Sequence, residues 1–145
     1  MAFANPSDEE IRALLKRVHQ IAVVGLSSKT DRPSYKVAVA LQRFGYRIIP
    51  VRPMTDEVLG EKAYPDLATV PGKIDLVDVF RAPEQVGEVV DACIALKLPV
   101  IWLQEGVVNE AAAQRAQAAG LTVIMDRCVY REYVRLFGAV PRSTL

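Results

Sequence analysis

Several things are scarce in this chain of 145 residues. Its two cysteines, Cys93 and Cys128, share no CxxC spacing and no histidine neighbour, so neither a structural zinc site nor a disulfide framework is expected. Its one histidine, His19, precedes the first strand read below, and no Ser-His-Asp set or pair of carboxylates gathers where chemistry would sit. Excess charge is missing too. Eighteen Lys and Arg against seventeen Asp and Glu give a net charge of +1, which excludes a global field that holds nucleic acid or an anionic membrane. Any anion must therefore be bound locally. No apolar run approaches the about 20 residues a membrane helix needs; Ile21 to Leu26 falls far short. The N-terminal residues show no basic segment followed by an apolar one, so the expected location is the cytoplasm.

What is present suits a globular chain: 51% of residues are hydrophobic and 24% charged, and the length corresponds to one domain over residues 1–145. Ser7 and Glu10 have the spacing of a capping box, followed by apolar residues at helical intervals, which predicts a helix over 8–18. Ile21–Gly25 reads as a strand covered on both faces. Ser34 is the expected cap of a helix running to Phe44, with Gly45 ending it in the left-handed conformation. Residues 46–51 form the second strand, and 52–72 an excursion with a short helix at 65–69. Strands at 74–80, 100–104 and 121–125 then alternate with helices from Pro83 to Leu96, from Asn109 to Gly120 and over 129–137. Unbroken alternation implies an α/β fold, a doubly wound parallel five-stranded sheet with helices on both faces.

In such a sheet a ligand lies at the carboxyl ends of the strands, where the strand order reverses. The segments that matter are Gly25-Leu26-Ser27-Ser28-Lys29, Val51-Arg52-Pro53, Phe80-Arg81-Ala82-Pro83 and Gln104-Glu105-Gly106. The first would set two hydroxyls, Lys29 and Arg32 before a helix N-terminus, where amides and dipole favour an anion. The dinucleotide fingerprint GxGxxG is incomplete, because Ser27 and Thr30 replace its second and third glycines. Nor does an acid stand after the second strand to hold a ribose diol; Arg52 stands there, and suits a phosphorylated ribose. Lys29, Arg32, Arg52 and Arg81 in one crevice would meet a multiply phosphorylated nucleotide such as NADP or coenzyme A.

Taken in order, the blocks Val23-Val24-Gly25-Leu26-Ser27, Arg32-Pro33-Ser34-Tyr35 and Gly45-Tyr46-Arg47-Ile48-Ile49-Pro50-Val51 resemble the small stand-alone CoA-binding proteins of the YccU type. So do Leu59-Gly60-Glu61, Val77-Asp78-Val79-Phe80-Arg81, Gly106-Val107-Val108-Asn109-Glu110 and Met125-Asp126-Arg127-Cys128. The likeness spans nearly the whole chain and is similar in kind to the CoA-binding domain of the succinyl-CoA synthetase α subunit. It implies a Rossmann-like fold with coenzyme A or an acyl-CoA as ligand. By that resemblance Gly25, Ser27, Ser28 and Lys29 surround the phosphates, and Arg52 and Pro53 border the nucleotide end. Phe80 and Arg81 flank the adenine and pyrophosphate, and Gln104 lies near the pantetheine arm.

The expectation is a binding module with no catalytic residues and no metal, its partner a small-molecule CoA ligand rather than nucleic acid or membrane; a protein partner stays open. The rival readings are an NADP-dependent oxidoreductase fragment and an accessory domain of an acyl-CoA synthetase. Trp102 and Cys93 are expected in the core, and Asp75 and Asp78 as locally satisfied carboxylates. Phe80 is open between stacking on adenine and packing. Cys128, beside Arg127, has two readings: a small buried residue, or the partner of CoA in a mixed disulfide.

Overall fold

The computed structural model describes residues 2–145. Helix α1 (Asp8–Arg17) opens with the reciprocal cap its spacing predicts: the Glu10 amide donates to Ser7 Oγ, and the Ser7 amide to the Glu10 carboxylate. Strand β1 (Gln20–Val24) follows, and then α2 (Pro33–Phe44). The residue capping α2 is Arg32 with extended backbone, not Ser34, because Pro33 occupies the first helical position and moves the start forward by two residues. Gly45 closes α2 at φ +106°, left-handed as expected, and β2 (Arg47–Val51) leaves from it.

Alternation breaks after β2. A hairpin of β3 (Glu57–Val58) and β4 (Glu61–Lys62) turns at Leu59 and Gly60, whose φ of +57° and +75° match a tight two-residue turn. The segment then returns to β2, where Tyr64 donates to the Pro50 carbonyl and accepts from the Arg52 amide. The short helix expected over 65–69 is a single 3-10 turn, Leu67–Thr69, capped by Asp66. Beyond it come β5 (Leu76–Val79), a 3-10 turn at Pro83–Gln85, α3 (Val86–Ala95), β6 (Val100–Leu103), α4 (Glu110–Ala118) capped by Asn109, β7 (Thr122–Ile124) and α5 (Val129–Phe137).

The five longer strands pair in the order β2-β1-β5-β6-β7, all parallel. Helices cover both faces, as a Rossmann-like sheet requires. Under α3 and α4 the packing is small and aliphatic: Val77, Val79, Ile101 and Leu103 meet Ala112, Ala113 and Ala116. Under α1, α2 and α5 it is bulkier, with Trp102, Tyr133 and Phe44. Trp102 is fully buried, its indole N–H donating to the Arg127 carbonyl at 2.8 Å. The order reverses between β1 and β5, which opens a crevice at their carboxyl ends.

The amino edge is closed. Asp75 accepts from the His19 and Gln20 amides, and those bonds outweigh its partial burial to hold its carboxyl below the usual value. Arg142 reaches back from the last turn, lies 4.5 Å over the Tyr46 ring and donates to the Lys16 and Gly45 carbonyls. His19 sits here, as expected, its Nδ1 3.1 Å from the same guanidinium.

Candidate functional site

A groove of about 930 Å³ runs along the carboxyl edge over β1, β5 and β6, within the range of small-ligand pockets. Nine of the twelve residues expected at the site line it: Gly25, Ser27, Lys29 and Arg32 from the first turn, Arg52 and Pro53 from the second, Phe80 and Arg81 from the third, and Gln104 from the fourth. Three do not. Val51 is 3% exposed and belongs to the core, reaching the turn only through its carbonyl, which accepts from the Gly25 amide at 2.9 Å. Ser28 is exposed on the turn outside the lining, and Cys128 is a buried residue at the start of α5.

Gly25 is the pivot. Its φ is +86°, and a Cβ built on it would overlap the carbonyl oxygen of Phe80, so only glycine lets the β1 turn cross so close to β5. Ser34, displaced from capping, is buried instead and accepts from the Ser27 amide at 3.0 Å; Ser27 Oγ accepts from the Lys29 amide at 3.1 Å. These bonds shape the turn and leave the Leu26 and Ser28 amides without protein partners among the described residues. The turn thus presents donors in front of the α2 N-terminus.

Four cations, Lys29, Arg32, Arg52 and Arg81, line the groove, and their side chains make no ion pair or hydrogen bond among the described residues. The single carboxylate in the lining, Glu105, is engaged by Arg131 at 3.1 Å. The groove is therefore strongly positive toward β1 and β2 and without cations toward β6. Phe80 is half-buried, both packing against the α2 side of the core and lining the groove, so its two readings coexist.

Below the floor lies a side chain the spacing misjudged. Asp78 pairs in register with Val23 and Trp102, is fully buried, and neither carboxylate oxygen has a partner among the described residues. It is not locally satisfied; burial alone raises its pKa well above the usual carboxylate value, so the neutral acid is favoured. Cys93 is core, as expected, its thiol pushed up to about 12 by burial. Met54, Thr55, Gln85 and Val107 also line the groove. Gln85 and Val107 could have been anticipated from their place one short turn after β5 and β6; nothing in the pattern marks Met54 or Thr55.

A family model described as a CoA binding domain matches residues 19–134, which takes in every groove-lining segment. The chain is 49% identical over 125 residues to the uncharacterized protein YneT of Bacillus subtilis, covering 86% of this chain and 93% of that one. It superposes on the solved structure of a hypothetical protein from Pyrococcus horikoshii OT3 with a TM-score of 0.88 and 39% identity, covering 95% of this chain and all of that one. It is also 29% identical over 75 residues to an ADP-forming acetate–CoA ligase of Archaeoglobus fulgidus, covering 50% of this chain and 11% of the ligase.

Proposed function

The chain belongs to the CoA-binding domain family, and from that premise we propose that it holds coenzyme A or an acyl-CoA in the carboxyl-edge groove as a binding module without a reaction of its own. The observation that carries this reading is the convergence of four unpaired cations on one half of the groove, around a glycine turn at a helix N-terminus. That half suits the phosphates. The Gly25–Lys29 turn takes the pyrophosphate on backbone amides, and Arg81 adds charge from the neighbouring strand. Arg52 reads the 3′-phosphate of the nucleotide end, beside Pro53, and Phe80 offers a ring face to adenine. The half over β6, which lacks cations, takes the uncharged pantetheine arm.

Support for a role without chemistry comes from the placement of His19 at the opposite edge of the sheet, tied to Arg142, and from the engagement of Glu105 by Arg131. His19 thus lies away from the groove, and Glu105 is already held by a guanidinium. Arg52 also favours NADP over NAD, which keeps an NADP-binding fragment as the second reading. Calorimetric titration with CoA, acetyl-CoA, NADP and NAD separates the two. CoA or acetyl-CoA is expected to bind; NADP binding with no CoA binding would overturn the proposal.

A further inference from the structure

Toward β6 the groove contains Gln104, a polar side chain held in a fixed orientation. It is 4% exposed, and the little that is exposed lines the groove. Its Oε1 accepts from the Val129 amide at 3.2 Å, satisfying the first amide of α5. That bond decides which way the carboxamide points, because a backbone N–H can meet only the oxygen. The amide nitrogen has no partner among the described residues, so its hydrogens are the donors that Gln104 leaves to the groove. Beside it Val107 supplies an apolar wall, and Glu105, already engaged by Arg131, is the one charged residue at this end.

An unpartnered amide donor beside an apolar wall and away from the groove's cations suits a neutral carbonyl oxygen; a phosphate is drawn to the cations instead, and a free thiol is only a weak acceptor. Adjacent parallel strands lie roughly 4.8 Å apart, so two strand steps put Gln104 on the order of 10 Å from the phosphate turn after β1. A pantetheine arm reaches that far.

Resting on the CoA reading above, we propose that Gln104 donates to the thioester carbonyl of a short, uncharged acyl-CoA, so that this site prefers acylated to free coenzyme A. The preference comes from one neutral hydrogen bond and is expected at about fivefold. Free CoA, with no carbonyl at its sulfur, leaves the donor unmet.

The test compares dissociation constants for acetyl-CoA, CoA and the thioether S-ethyl-CoA, which keeps the added carbons and lacks the carbonyl. The wild-type chain is expected to bind acetyl-CoA about fivefold more tightly than the other two. Gln104→Leu removes the carboxamide and with it the donor; it is expected to bring the three ligands to equal affinity. Because the ratio is taken within each variant, general weakening does not imitate the effect, and Gln104→Met provides a second removal of the donor. Equal binding of CoA and acetyl-CoA by wild type would overturn the inference. So would S-ethyl-CoA matching acetyl-CoA, which assigns the gain to Val107, or variants that weaken all three ligands equally, which assigns the donor to an amide of the arm. Failure of all three ligands to bind wild type would instead overturn the CoA reading itself.

Discussion

Arg142 and Arg52 stand at opposite edges of the same sheet in contrasting surroundings. Arg142 lies over Tyr46 and donates to two main-chain carbonyls, which ties α1, the α2 end and the tail together. Arg52, like Lys29, Arg32 and Arg81, faces a groove and meets no protein acceptor among the described residues. A guanidinium held by main-chain carbonyls through its terminal nitrogens, even with Nε left unpartnered as in Arg142, contributes to stability; one left to solvent meets an incoming anion without first breaking a bond. The amino edge is organised for folding and the carboxyl edge for a ligand.

The sharpest way to break this contrast is at Gly25. Gly25→Ala must displace the Phe80 carbonyl and adopt a left-handed backbone, and is expected to abolish CoA binding and lower stability by at least about 2 kcal/mol in chemical denaturation. Gly106→Ala, at φ +79° in open space, is the control and should lose only the cost of the left-handed backbone, about 1–2 kcal/mol. Next come the arginines. Arg52→Ala and Arg81→Ala should each weaken CoA by roughly 10- to 100-fold, as loss of a charge-assisted contact does, with melting temperature unchanged. Arg52→Ala should weaken dephospho-CoA less. Arg142→Ala should do the reverse, lowering stability by about 1–2 kcal/mol while CoA titrates as in wild type.

Asp78 gives a smaller and pH-dependent effect. Its folded pKa is raised by burial above the about 3.9 of the unfolded chain, so its folded form stays protonated while the unfolded form ionises. The contribution to stability is full below that unfolded value and is lost as pH rises toward the folded one. Asp78→Asn, which cannot ionise, should therefore gain on wild type between pH 4 and pH 8 in denaturation midpoints; a constant gap would show that the carboxyl is not the cause. The smallest effect belongs to Arg131→Ala, an exposed partner of Glu105, at no more than about 0.5 kcal/mol.

Much of this was legible in the sequence because its signals are local. The Ser7–Glu10 box, Gly45 and the Asn109 cap each depend on neighbours within a few residues, and each appears where the pattern put it. The groove cations were legible because parallel topology alone brings strand ends together. What was not legible depends on contacts across the chain. Tyr64 pairs with β2 from thirteen positions beyond Val51, turning an apparent loop into a hairpin and bridge. Val51 ends a strand whose last four residues are all buried, so its side chain joins the core and only Arg52 and Pro53 beyond it reach the groove. Asp78 occupies a strand position whose neighbours, Val23 and Trp102, come from other segments, so its isolation had no signal in the residues beside it.

The strap formed by Arg142 offers a practical handle. Because it pins the final residues against the start of β1 and the end of α2, a fluorophore or surface tether joined at Leu145 would stand on the far side of the molecule from the groove. An immobilised or labelled chain would keep its mouth open to solvent, so ligand exchange could be followed without the attachment shading the entrance.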